Sequence, residues 1–313
     1  MSSPRTERKV ILVSRKTRLA ELIARFNTEA QARFYIEHLG ADFSDYQREH
    51  AAYSGALQQT QSILATLGRV QMLERSFLPN YVFGPNDIVL VLGQDGLVAN
   101  TLKYLQGQSV LGVNPDPARW EGVLLPFQVG DLAKVLPEIL FNHRPTRTVT
   151  MAQASLNNGQ TLLGVNDLFI GPKSHGSARY SIELGDRQEH QSSSGVIVST
   201  GLGSTGWFKS LITGAVGVAA SFQSGAPAAP PVTSFPWDSA YLRFTVREPF
   251  PSKTTAATLL YGQISAGCPL VLTSQMAENG VIFSDGIEAD FLEFSSGTRA
   301  SICLAEQRAN LIL

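Results

Sequence analysis

Two rhythms of hydrophobic and polar positions divide the chain. In the N-terminal part, short apolar runs alternate with stretches at helical spacing. Lys9-Val-Ile-Leu-Val-Ser14 is a brief apolar run at charged borders, the pattern of a buried parallel strand. Leu19, Leu22, Ile23, Phe26, Ala30 and Phe34 then recur at helical spacing and predict one long amphipathic helix. A polar stretch with Gly40 and Tyr46 follows, then a helix around Leu57 to Leu67 closed by Gly68, and a strand over Val70 to Phe77. Ile88-Val-Leu-Val-Leu92 is the clearest strand. It runs into Gly93-Gln94-Asp95-Gly96 and a helix over Leu97 to Leu105, and Ser109-Val-Leu-Gly-Val113 adds a fourth strand. Such alternation implies an open parallel sheet flanked by helices.

From about Arg144 the rhythm shortens. Strands are predicted at Arg147 to Ala154, Leu162 to Ile170, Ala178 to Leu184 and Gly195 to Thr200. Further ones follow at Tyr241 to Val246, Thr258 to Ile264, Leu270 to Thr273, Val281 to Ser284 and Ala300 to Leu304. Many short strands between turn residues read as an all-β region. Ser224 to Pro236, rich in Ala, Pro and Ser, reads as a loop. The expected fold class is therefore α/β plus all-β. An open parallel, Rossmann-like domain spans residues 1–143 and a β-sandwich-like domain spans 144–313, with a linker near Asn142 to Pro145 and the last residues packing back on the first domain.

Composition narrows the function classes. Of 313 residues 43% are hydrophobic, which excludes disorder from weak apolar content. Only 16% are charged and the net charge is −1, so no phosphate-neutralising surface for nucleic acid is expected. Cys268 and Cys303 lack metal-ligand spacing and read as buried thiols of a reducing compartment. Val10 to Val13 is too short for a secretory or membrane segment, and Leu211 to Ala220, apolar with Gly inside, reads as core. A cytoplasmic protein without a membrane partner is expected.

Three segments offer chemistry. In Gly93-Gln94-Asp95-Gly96, small residues at a strand-to-helix junction let backbone N–H groups approach a phosphate. Asp95 would repel that phosphate, which makes sense if it accepts a proton from an attacking hydroxyl; otherwise Asp-Gly simply suits a turn. Asn166 and Asp167 interrupt an apolar strand, either as recognition groups for a ribose or adenine edge or as a local turn. Ser192 to Ser210 is a strand, a Gly/Ser/Thr loop and a helix beginning near Thr205. It holds seven hydroxyl side chains and no charge between Gln191 and Phe208. It is either a neutral ligand cradle or a plain helix cap by Ser204 or Thr205, and the close pair Gly201 and Gly203 favours the cradle. His143, His175 and His190 are scattered surface residues, and Trp120 and Trp237 read as packing residues.

Taken in order, these segments resemble the NAD kinases. Gly93-Gln-Asp-Gly-Leu97 is similar to their GGDGT motif, Val165-Asn-Asp-Leu168 to their Asn-Glu/Asp motif, and Ser194 to Trp207 to DGLIVSTPTGSTAY. Gly112-Val-Asn-Pro-Asp-Pro-Ala-Arg-Trp-Glu-Gly122, Ser14-Arg-Lys-Thr-Arg18, Ser177-Ala-Arg-Tyr180 and Val246-Arg-Glu-Pro249 resemble the mitochondrial-type enzymes and their bacterial relatives. The resemblance covers nearly the whole chain. It implies a site between an α/β and a β-rich domain, and phosphoryl transfer from ATP, or polyphosphate, to the 2′-hydroxyl of the adenosine ribose of NAD. By the same resemblance Asp95 is the base, and Gly93 and Gly96 admit phosphates. Asn114 belongs to the cofactor site and Asn166 and Asp167 bind the adenine side. Ser204, Thr205, Gly206, Trp207 and Ser210 line the dinucleotide pocket. Mg²⁺ bridging donor phosphates and a homodimer or higher homo-oligomer are implied too.

The chain departs from the family at two positions of the phosphate turn. Gln94 replaces a Gly and Leu97 replaces a Thr. A side chain at 94 either crowds the phosphate or forces another backbone angle, and Leu97 removes a hydroxyl. The competing expectation is thus a dinucleotide-binding protein whose kinase activity is weakened or lost.

Overall fold

The computed structural model describes residues 6–141, 144–222 and 232–313. The centre of the expected linker, with His143, and most of the expected 224–236 loop lie outside the described residues. The chain divides into two compact units, the first running to Arg147 and taking in Asn310–Leu313, the second Thr148–Ala309.

The first unit is built from β1 (Thr6–Ser14), α1 (Arg18–Phe26), α2 (Glu29–His38), α3 (Phe43–Ala65), β2 (Gly68–Glu74), β3 (Ile88–Leu92), α4 (Asp95–Leu102), β4 (Ser109–Asn114), β5 (Phe127–Gln128) and α5 (Leu132–Leu140). Its sheet runs in the order β4-β3-β1-β2 with every pair parallel, and β5 joins β4 in parallel. Every residue of β3 is buried, as expected for a central strand covered on both faces. Asn310 and Leu311 pair in parallel with Ser109 and Val110.

The predicted long first helix is two helices. Asn27 ends α1 in the left-handed conformation (φ 67°), and the Thr28 hydroxyl caps α2 by accepting from Gln31 N–H. The polar stretch predicted around Gly40 and Tyr46 is instead largely helix: Asp42 caps α3, which runs 23 residues to Ala65. The strand expected over Val70 to Phe77 ends at Glu74, where a 3₁₀ turn begins.

The second unit holds β6 (Thr146–Leu156), β7 (Thr161–Gly164), β8 (Asp167–Pro172), β9 (Ala178–Leu184), β10 (Arg187–Ser193), β11 (Val196–Ser199), α6 (Trp207–Ser221), β12 (Tyr241–Val246), β13 (Tyr261–Ser265), β14 (Leu270–Ser274), β15 (Gly280–Ser284), β16 (Ile287–Glu293) and β17 (Arg299–Ile312). One antiparallel sheet runs β13-β12-β11-β8-β15-β16; in the other, β10-β9-β14-β17 are neighbours, and β6 pairs with β17 and β7. Alternation decides which face each residue takes. Leu168, Ile170, Val196 and Val198 join Tyr180, Ile182, Leu270 and Ile302 in the sandwich core. Phe169 and Ile197, one position on, face the opposite side and pack with Trp207 and Leu211 of α6.

The predicted Leu162 to Ile170 strand is split, because the chain bends at Val165 and Asn166 between β7 and β8. The reading of Leu211 to Ala220 as core is also corrected. Leu211, Ile212, Val216 and Ala220 are half-buried, the other residues of that stretch are exposed, and Phe222 beyond it is 86% exposed. Among the described residues no helix is long and apolar enough to cross a membrane.

Candidate functional site

In the first unit the Gly93-Gln94-Asp95-Gly96 turn joins the C-terminal end of β3 to α4, at the carboxyl edge where open parallel sheets hold ligands. Between β1 and β3 the sheet order reverses direction, so this turn stands at the switch point. Gly93 N–H donates to Val113 O at 3.2 Å, so that group is already used. The N–H groups of Asp95 and Gly96, in the first turn of α4, have no intrahelical acceptor and are the ones left to an anion. Gly96 is exposed, and a Cβ there would meet nothing within 4 Å.

Asp95 is half-buried. Its Oδ1 accepts from Leu124 N–H at 2.7 Å, while among the described residues Oδ2 has no hydrogen-bond partner. One oxygen is thereby fixed and the other left able to take a proton. Leu124 lies in the loop between β4 and β5, and two devices shape that loop. Asn114 is 4% exposed, with Nδ2 donating to Trp120 O at 2.9 Å and Oδ1 accepting from Asp116 N–H at 3.0 Å. Its side chain organises the loop. Arg119 forms a bidentate pair with Asp45 of α3, at 2.7 and 3.2 Å, and Arg18 also bonds Asp45 at 2.7 Å. These guanidinium hydrogen bonds, Arg119 first and then Arg18, hold the Asp45 carboxyl well below the ordinary carboxylate range.

The two departures from the family motif take defined places. Gln94 has φ −120° and ψ 163°, extended backbone that any residue adopts, so no special backbone angle is demanded of it. Leu97 is 3% exposed and covers Gly93, where a Cβ would lie 2.7 Å from the Leu97 side chain.

In the second unit the bend at Val165-Asn166 is built around Asp285. The Asp285 carboxylate accepts from Val165 N–H at 3.1 Å, Asn166 N–H at 2.6 Å and Asp167 N–H at 3.3 Å. Asp285 itself sits in the left-handed region, φ 55°, ahead of Gly286. Sequence reasoning passed over this residue. Its only local signal is an acidic residue before Gly, while its contacts lie about 120 positions away. The Asn166 side chain keeps its amide free of protein partners among the described residues and is half-buried. Asp167 is 8% exposed and its carboxylate has no donor within reach there. Burial first, and the neighbouring Asp285 charge second, push its pKa up to about 7.

The Gly/Ser/Thr loop is locked onto that bend. The Thr200 hydroxyl donates to Val165 O at 2.6 Å, and Thr200 N–H donates to Asn166 O at 3.0 Å. A Cβ at Gly203 would lie 2.0 Å from Asn166 O, so only glycine allows this approach. Ser204 is fully buried, donates to Gly201 O at 2.6 Å and accepts from Phe235 N–H. Neither Ser204 nor Thr205 caps α6: its cap is Gly206, without a side-chain bond. Thr205, Gly206 and Ser210 are exposed. Trp207 stacks on Phe169, with centroids 5.8 Å apart and planes at 15°, and the Arg247 guanidinium lies 5.3 Å from the Trp207 ring. Among the described residues the buried Arg247 Nε has no hydrogen-bond partner. Ser210, Phe208, Leu211, Arg243, Arg247 and Tyr261 line a cavity of about 870 Å³.

The structure thus joins Asn166, Asp167, Ser204, Thr205, Gly206, Trp207 and Ser210 through one bend, loop and helix start of the second unit. Gly93, Asp95, Gly96 and Asn114 gather in the first. Among the described residues no group of three or more His, Cys, Asp or Glu is placed to hold a metal.

This two-part architecture, a parallel sheet with helices and an antiparallel sandwich, is the fold of solved NAD kinases. The chain is similar to an NAD kinase from Archaeoglobus fulgidus solved in complex with ATP, at 13% identity and a TM-score of 0.54, over 97% of this chain and 93% of that one. It is equally similar to yeast NADH kinase complexed with NADH, at 13% identity and a TM-score of 0.54, covering 97% of this chain and 83% of that one. No family model and no curated protein sequence matches the chain.

Proposed function

We propose that this chain is an NAD kinase, transferring the terminal phosphoryl group of ATP to the 2′-hydroxyl of the adenosine ribose of NAD to give NADP and ADP. The observation that carries the reading is Asp95, on a strand-to-helix turn with one oxygen fixed by Leu124 N–H and the other unpartnered among the described residues. Asp95 takes the 2′-hydroxyl proton as that oxygen attacks the γ-phosphorus, and the bond to the departing ADP oxygen breaks. The N–H groups at the start of α4 receive donor phosphate charge. Asn166 and Asp167 hydrogen-bond the adenosine end, while the Trp207–Phe169 stack and the cavity beside Ser210 take an aromatic ring of the dinucleotide. Mg²⁺ would arrive on the donor phosphates and neutralise them. The extended backbone at Gln94 supports an active enzyme over one that has lost turnover. The apolar, exposed residues Val218 and Phe222 of α6 and its end support the self-association the reading also carries.

Incubation with NAD, ATP and Mg²⁺ should produce NADP, read with an NADP-specific dehydrogenase, and Asp95→Asn should remove most of the signal with the circular dichroism unchanged. A mutant at wild-type rate would sink the assignment of Asp95. The same assay with polyphosphate, or with NADH as acceptor, sets donor and acceptor.

A further inference from the structure

A second cavity of the sandwich unit, about 370 Å³, lies outside every motif used so far. Its floor is the β9–β10 hairpin. Arg179 and Ser192 are directly paired across the two strands and His190 is two residues from Ser192, so all three lie on one face of the hairpin. Two backbone bonds, Phe250 N–H to Ser192 O at 2.8 Å and Ala256 N–H to His190 O at 2.8 Å, tie the 250–256 loop along the edge of β10. Gln275 closes another side, its backbone N–H bonded to Arg179 O at 2.8 Å.

Some of the polar groups that line it bond each other, Gln275 to His190 and Ser252 to Thr255, and the Arg179 and Ser192 side chains are left for a ligand. Among the described residues Arg179 is exposed and makes no ion pair, and no carboxylate lines the cavity. Gln275 Nε2 lies 2.9 Å from His190 Nδ1. This contact engages Nδ1, so Nε2 is the ring nitrogen left for a ligand. Ser192 is 7% exposed, lines the cavity and has no hydrogen-bond partner for its hydroxyl among the described residues. In the loop, the Thr255 hydroxyl donates to Phe250 O at 2.9 Å and Ser252 Oγ accepts from Thr254 N–H at 3.2 Å, which braces the loop. The Phe250 ring, 65% exposed, is an apolar wall beside these donors.

We infer that this cavity is a binding site for a small phosphomonoester of a polyhydroxy compound, a sugar phosphate. Arg179 and His190 bind the phosphate, Ser192, Thr254 and Gln275 bind hydroxyls, and Phe250 covers a sugar face. An unpaired guanidinium next to an N–H donor and free of carboxylates selects an anion. A cavity of this size, with the Ser192 hydroxyl unpartnered among the described residues and an amide oxygen, suits an anion carrying hydroxyls better than a bare ion.

Isothermal titration of the full chain with ribose 5-phosphate, ribose and inorganic phosphate tests this. Ribose 5-phosphate should bind more tightly than inorganic phosphate, and ribose should give no heat. Arg179→Gln, a change at an exposed side chain, should weaken ribose 5-phosphate by about tenfold, and Ser192→Ala by a smaller factor. The NADP-forming assay on Arg179→Gln without sugar phosphate should match wild type, which separates this site from the kinase reading. Three results would each overturn the inference: no heat from ribose 5-phosphate at millimolar concentration, binding undiminished in Arg179→Gln, or inorganic phosphate binding as tightly as the ester.

Discussion

Asp95 and Asp167 stand at comparable places, each where a strand and a turn meet, yet their surroundings differ. Asp95 is half-buried, with one oxygen fixed by a backbone N–H and the other unpartnered among the described residues. Asp167 is buried, lacks a donor within reach among the described residues and faces the carboxylate of Asp285. An acceptor of a substrate proton needs a fixed carboxylate with an open oxygen, and Asp95 meets that. A carboxyl held near neutrality suits recognition, since it can donate as well as accept. Under the proposed function, backbone donors and burial would give these two aspartates of one sequence different work.

The largest effect that would break this comparison is on rate. Asp95→Asn should lower NADP formation by about 10²–10⁴-fold while Asp167→Asn acts mainly on KM for NAD. Equal losses of kcat in both would erase the distinction. Next come the supports of the Asp167 side. Gly203→Ala should destabilise the protein by about 1–3 kcal/mol in urea unfolding, because the added Cβ meets Asn166 O. Asp285→Ala should cost a similar amount, about 1–3 kcal/mol, since it strips acceptors from buried N–H groups.

A subtler effect is on pH. With its pKa raised from 3.8 to about 7, Asp167 keeps a proton in the folded state that the unfolded chain has released. Its contribution is therefore greatest below the unfolded value, declines as pH rises through that interval and levels off above it. Asp167→Asn should flatten the decline, and an unchanged slope in urea midpoints between those limits would contradict the environment assigned to it. The smallest effect is expected at Gln94: Gln94→Gly should change turnover by less than about threefold, because the backbone there is already ordinary.

Much of the fold was readable where local pattern and burial agree. The strand over residues 88–92 is continuous and apolar, and the strands at 178–184 and 241–246 have the bounds that the pattern predicts. The break at Asn27-Thr28 was missed because hydrophobic spacing runs across it; a left-handed residue followed by a Thr cap overrode the period. β10 was missed because its residues are mostly polar: it is an edge strand held by pairing with β9 alone. In the candidate site, the glycine turns and the Asn166-Asp167 pair announce themselves because polar or small residues interrupt apolar strands. Asp285 and the Arg119–Asp45 pair do not, since their partners are distant in sequence: Arg119 and Asp45 are 74 positions apart.

The approach of Gly203 to the Asn166 carbonyl also bears on motion. With Thr200 bonded to both Val165 and Asn166, the bend and the glycine loop share their hydrogen bonds, so neither can open alone. Amide hydrogen exchange should therefore register Thr200 and Gly203 with the residues around Asn166 as one cooperative unit, exchanging at a common rate. The exposed N–H groups beyond Gly206 should exchange faster. Dinucleotide recognition would then rest on a surface that is already set before the ligand arrives, with little ordering left to oppose binding.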